Sequence, residues 1–119
     1  MTDRPEVEQF FDEYARGLLA RDAGAVAGLY AVPALIAFPA QSLAVADRSQ
    51  TEAFFTSAWE QYDGVDDVSS DVRVVAETGH SVWADVTWRY GDERTERFIY
   101  QLVDDAGTWR IAVLTPITD

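Results

Sequence analysis

The first half of the chain sets apolar residues at helical spacing. Between Pro5 and Arg21, Val7, Phe10, Phe11, Tyr14 and Leu18 recur every three or four positions and fall on one helix face. Asp3 followed by Glu6 fits a capping box, with Pro5 tolerated in the first turn. A shorter second helix is expected from about Asp22, carrying Val26, Leu29 and Tyr30, with Gly24 and Gly28 weakening it. Pro33 breaks that helix, and a short extended segment ends at Pro39. Ser49 and Glu52 form another capping-box pattern. It opens a third helix with Phe54, Phe55, Ala58, Trp59 and Tyr62 on its apolar side, ended by Asp63-Gly64.

The period then changes to two. Val68 to Glu77, Ser81 to Tyr90, Arg94 to Val103 and Trp109 to Ile117 read as strands. The turns between them carry Thr78-Gly79, Gly91-Asp92 and Asp104 to Gly107. Helices over about residues 5–62, followed by an antiparallel meander over about 67–118, make an α+β pattern. Residues 1–119 fit a single domain with one core.

Alternation along the second strand groups Trp83, Asp85, Thr87 and Arg89 on one face. Val82, Ala84, Val86, Trp88 and Tyr90 lie on the other. A two-residue turn at Asp92-Glu93 sets Arg89 opposite Glu96, Asp85 opposite Tyr100 and Val86 opposite Ile99. A two-residue turn at Gly91-Asp92 keeps the same grouping, and a three-residue loop inverts it. The opposite charges of Arg89 and Glu96 favour the first arrangement. It leaves Val82, Ala84, Val86, Trp88, Ile99, Gln101 and Val103 together as the more apolar face, suited to covering helices.

Composition narrows the chemistry. The chain has no cysteine and no lysine, so disulfides, thiol nucleophiles, zinc–thiolate sites and Schiff bases are excluded. A net charge of −12 repels phosphate backbones and anionic membranes, so neither nucleic acid nor membrane is an expected partner. No apolar run approaches the roughly 18 residues of a membrane span, and a cytoplasmic location is expected. His80 is the lone histidine and sits in a hairpin turn. The carboxylates show no ligand spacing, so no metal site is expected. No Ser-His-Asp set, phosphate loop or nucleotide fingerprint appears, and no cofactor is expected.

The helical stretch ARDAGAVAGLYA, the proline-bounded segment after it and the closing strand GTWRI resemble the nuclear-transport-factor-two-like superfamily. Within it the chain looks most like small SnoaL-like proteins. The resemblance covers nearly the whole chain. It implies a cone-shaped, cystatin-like fold: three N-terminal helices on a curved, mixed β-sheet around an apolar pocket, with homodimers formed through the outer sheet face. Trp83, Tyr100 and Trp109 are the aromatics expected on that outer face, with Asp85 and Ile111. Val86, Trp88, Ile99, Gln101, Ala112 and Leu114 are expected to point into the cone.

The superfamily's ketosteroid isomerases use a tyrosine and a protonated aspartate as oxyanion donors, plus an aspartate base. Tyr14 falls at the tyrosine position. The base position is Phe38 and the second donor position is Ile99, so that mechanism is not expected. The leading expectation is a cone that binds a small, mostly apolar molecule. Tyr14, Trp88 and Gln101 are its polar contacts and Phe38, Ile99 and Leu114 its walls; the catalytic residues are unknown. Arg97 is expected in a surface ion pair. The alternatives are a lyase, isomerase or cyclase, which needs a titratable group inside the cone, and a non-catalytic dimeric module whose cone Phe38, Phe54 and Trp59 pack shut.

Overall fold

The computed structural model describes residues 5–91 and 93–117. Its elements are α1 (Pro5–Leu19), α2 (Ala23–Ala27), β1 (Tyr30–Phe38), β2 (Gln41–Val45) and α3 (Arg48–Ala58). A 3-10 turn follows (Trp59–Tyr62), then β3 (Val68–Glu77), β4 (Ser81–Tyr90), β5 (Thr95–Asp105) and β6 (Thr108–Pro116). The strands form one sheet in the order β2-β1-β6-β5-β4-β3. Only β1 and β6 run parallel, so the sheet is mixed, and the α+β architecture is the expected one.

Helix α1 buries the stripe read from its spacing: Val7, Phe10, Phe11, Tyr14 and Leu18 are all buried. Asp3, the expected cap, lies outside the described residues. Gly17 sits where α2 crosses α1, and a Cβ there would meet Val26 Cγ2 at 2.8 Å. Helix α2 is a single short turn capped by Asp22, whose side chain accepts from the Ala25 N–H at 3.0 Å.

Helix α3 starts two residues earlier than the Ser49–Glu52 pattern suggested. Its capping box is Asp47 with Gln50: Asp47 accepts from the Gln50 N–H, and the Gln50 side chain accepts from the Asp47 N–H. Ser49 instead donates its hydroxyl to Asp47. The helix ends at Ala58, and the 3-10 turn carries the chain to Gly64, whose φ of +80° suits glycine.

The region around Pro33 is more regular than its prolines implied. It forms two strands, β1 and β2, the second unforeseen. Pro33 lies in the interval where the β1–β6 register shifts, between Tyr30 and Leu35. A residue without an N–H is tolerated where the ladder is already interrupted.

The decisive departure is in the β4–β5 hairpin. Tyr90 N–H donates to the Arg94 carbonyl at 3.0 Å, and Arg89 pairs with Thr95. The loop therefore has three residues, Gly91 to Glu93, and Glu93 takes a positive φ of 74°. Trp88 then pairs with Glu96, Asp85 with Ile99 and Ala84 with Tyr100. A shift of one residue inverts every side chain of β5 relative to the favoured reading.

Phe98, Tyr100 and Leu102 consequently face the helices with Val86 and Trp88, while Ile99 and Gln101 face away. Strand β6 adds an irregularity: Gln101 pairs with Val113 but Leu102 with Ile111, which leaves Ala112 in a bulge. Ile111 is buried and Trp109 packs against the core, so both expectations of outward placement fail, as does that for Tyr100. Asp85 is outward, as expected, with Trp83.

On that outer face Asp85 is nearly buried between two arginines. Arg97 Nε donates to Asp85 Oδ1 at 2.9 Å, and Arg73 Nη2 stands 3.9 Å from Oδ2. The Arg97 hydrogen bonds, aided by the charges of Arg97 and Arg73, hold the Asp85 carboxyl below the usual carboxylate range, against the opposing effect of burial. The expected Arg89–Glu96 pair is absent, because the two residues lie on opposite faces. Arg89 approaches Asp71 instead, at 3.9 Å.

Candidate functional site

The aromatic residues of the inner face do not close over one another completely. A cavity of about 570 Å³ lies between the sheet, α1 and α3. Phe54 and Tyr62 are half-buried, packed against the core on one side and bordering this space on the other. Phe55, by contrast, is buried between Tyr14, Tyr30 and Trp59.

The buried end carries four polar atoms from four elements. Tyr14 of α1 and Tyr30 of β1 share a hydrogen bond between hydroxyls at 2.7 Å. Trp88 of β4 donates its indole N–H to the Tyr100 hydroxyl of β5 at 2.8 Å. The Tyr14 and Tyr100 rings pack edge to face with centroids 6.0 Å apart, so the two hydrogen-bonded pairs stand side by side. Tyr14, Trp88 and Tyr100 line the cavity. Burial raises the pKa of the Tyr14, Tyr30 and Tyr100 phenols, and the neighbouring hydroxyls raise Tyr14 further. The phenols are therefore neutral, able both to donate and to accept.

The exposed rim has a second tyrosine cluster. Tyr90 donates to Glu96 Oε1 at 2.6 Å, and burial, Tyr62 and Glu96 together push its hydroxyl pKa up. Glu96 is the only charged side chain among the described lining residues. The Arg94 guanidinium lies over the far side of this cluster, 5.1 Å from the Tyr90 ring centroid, and donates to the Gln61 carbonyl at 2.8 Å. Arg21 braces Tyr62 from behind, 5.6 Å from its ring centroid. It donates to the carbonyls of Leu18 and Leu19 at 3.1 Å, of Val65 at 3.2 Å and of Tyr62, tying the end of α1 to the 3-10 turn.

Of the residues singled out in the sequence, Tyr14, Trp88, Phe38 and Leu114 line the cavity. Ile99 and Gln101 do not. Gln101 Nε2 donates to Ser81 Oγ at 3.0 Å on the outer face, which resolves the cost of an amide assigned to an apolar interior. Ile99 gives up the inward position on β5 to Tyr100, so the buried end of the cavity is lined by two phenols, Tyr14 and Tyr100, where the sequence suggested one. Phe38 lines the cavity wall, packed against Phe54 and Phe98. Arg97 is in an ion pair, as expected, and His80 is exposed. Among the described residues no group of three or more His, Asp or Glu side chains is placed to hold a metal.

Tyr100, Tyr90 and Glu96 were missed. The signal for Tyr100 was β5's own alternation: Phe98, Tyr100 and Leu102 form a more apolar row than Arg97, Ile99 and Gln101.

Helices on one face of a mixed six-strand sheet, with a cavity between the layers, can be compared with known proteins. Residues 5–119 match the family described as NTF2-like protein (DUF6841). The chain belongs to this NTF2-like family. Similar solved structures share the fold of this NTF2-like chain at low identity. A domain of unknown function with a cystatin-like fold from Nostoc punctiforme is 14% identical, with a TM-score of 0.77 over 97% of this chain and 76% of that one. An NTF2-like protein from Cytophaga hutchinsonii is 12% identical, with a TM-score of 0.74 and full coverage of both chains, 100% and 100%. A ketosteroid isomerase-like protein from Erwinia carotovora atroseptica is 14% identical, with a TM-score of 0.66 over 95% of each chain. No curated protein matches the NTF2-like chain by sequence. Among the described residues no helix is long and apolar enough to cross a membrane.

Proposed function

We propose that this NTF2-like protein binds a small, mostly apolar molecule in its cavity. The observation that carries the reading is an open, aromatic-walled space of about 570 Å³ that ends on neutral, hydrogen-bonded phenols. Ligand sites have this make-up, with apolar walls and a few convergent polar groups. The phenols suit a ligand oxygen, carbonyl or hydroxyl, at the buried end. Phe38 and Phe54 flank the cavity without filling it, and this weighs against the packed-shut module.

Native mass spectrometry of gently purified protein tests the reading. A reproducible non-covalent added mass is expected, retained more weakly by Tyr14→Phe, with affinity down about three- to tenfold for one lost hydrogen bond. A protein that carries no added mass and takes up no apolar probe would overturn it.

A second reading, an enzyme of lyase, isomerase or cyclase type, is favoured by one observation: Glu96, a carboxylate, lines the same cavity as the phenols. It requires turnover that Glu96→Gln abolishes. Self-association through the outer face is part of the proposal. Trp83, Ile99 and Val113 are half-buried there and Leu35 is 39% exposed, forming an apolar strip beside the charged cluster. Sedimentation should give twice the mass of one chain, and Trp83→Arg should return it to a monomer.

A further inference from the structure

The two ends of the cavity differ in charge as well as in depth. Tyr100 and Glu96 stand four residues apart on the same face of β5, a separation of roughly 13 Å along the strand. Phe98 lies between them and also lines the cavity. One pole therefore offers neutral phenols, the middle is aromatic, and the other pole is a carboxylate. Tyr90 holds Glu96 Oε1 at 2.6 Å. A carboxylate retains acceptor capacity on its second oxygen and donates nothing.

We infer that the cavity selects elongated ligands whose outer end donates hydrogen bonds, an ammonium above all, and rejects those ending in a carboxylate. This rests on the ligand-binding reading above. The aromatic middle fixes the length. The rim fixes the sign, because no cation lines the cavity among the described residues and a carboxylate-ended ligand would face Glu96. Arg94 and Arg21 oppose Glu96 at the lining Tyr62, but neither guanidinium lines the cavity. The Arg94 guanidinium stacks on the Tyr90 ring and donates to a backbone carbonyl. The chain's net charge of −12 adds a diffuse bias of the same sign, which salt screens.

Three matched probes separate the local effect from the diffuse one: 4-phenylbenzylamine, 4-phenylbenzyl alcohol and 4-phenylbenzoate. Their dissociation constants would be measured by calorimetry at about 0.3 M salt, where the Debye length is only several ångströms. The amine is expected to bind at least about tenfold more tightly than the benzoate, as for a charge-assisted hydrogen bond, with the alcohol between them. Glu96→Gln should bring the amine-to-benzoate ratio to within about threefold of unity and leave the alcohol nearly unchanged. Glu8→Gln, which removes an exposed carboxylate on α1, should leave the ratio intact.

Equal binding of amine and benzoate to the unaltered protein, or a ratio that survives Glu96→Gln, would overturn the inference while leaving the cavity a binding site. Failure of all three probes to bind would overturn the binding reading as well.

Discussion

Strand β5 shows two ways of keeping polar groups inside a sheet. Toward the helices, Tyr100 is buried and its hydroxyl accepts from the Trp88 indole N–H, both groups uncharged. Away from them, Arg97 reaches across to Asp85, which is almost as buried but ionised. The difference follows from what lies beyond each face. A charge on the helix side would lose its hydration with nothing to replace it. Arg73 and Arg97 keep 71% and 49% of their side chains exposed, so solvent still shares the cost of charge on the outer side. A neutral network also leaves hydrogen-bonding capacity for a guest, whereas the outer ion cluster consumes its own.

The comparison is broken most severely by removing the indole. Trp88 is fully buried against Phe11 and Tyr14 and holds the Tyr100 hydroxyl. Trp88→Ala should cost about 3–5 kcal/mol in urea unfolding, through lost burial and the space left behind. Asp85→Asn should cost less, about 1–3 kcal/mol at neutral pH, because the arginines it releases are already half in water.

The pH dependence of that loss sharpens the contrast. The folded pKa of Asp85 is depressed, so its contribution is present above the unfolded value, about 3.9, and is lost as pH falls through the folded value. Melting curves of Asp85→Asn and the unaltered protein should therefore converge as the pH drops below the usual carboxylate range. A gap that persists there would mean that shape, not charge, holds the outer face. Arg89→Ala, at the exposed and loosely approached pair with Asp71, should change stability by less than about 0.5 kcal/mol.

Much of the fold was legible because periodicity reports burial directly. The α1 stripe, the full extents of β3 and β4, and the two faces of β4 follow from spacing alone. The candidate site was half legible for a reason local to the Tyr90–Arg94 loop. Loop length sets register, and Glu93 adopts a positive φ that its side chain does not advertise, as a glycine there would have done. Reading Arg89 and Glu96 as partners hid both Tyr100 and the carboxylate at the rim. The bulge at Ala112 is equally silent, since nothing in the sequence around Ile111 marks where β6 changes step.

The raised pKa values of Tyr14, Tyr30 and Tyr100 carry a consequence beyond the fold. A recognition surface built from groups that neither gain nor lose a proton between mild acid and mild alkali is blind to proton activity. At its buried end this cavity would read the same oxygen with the same strength in an acidified cell as in a neutral one. Any sensitivity of occupancy to pH would then report on the guest molecule or on the rim.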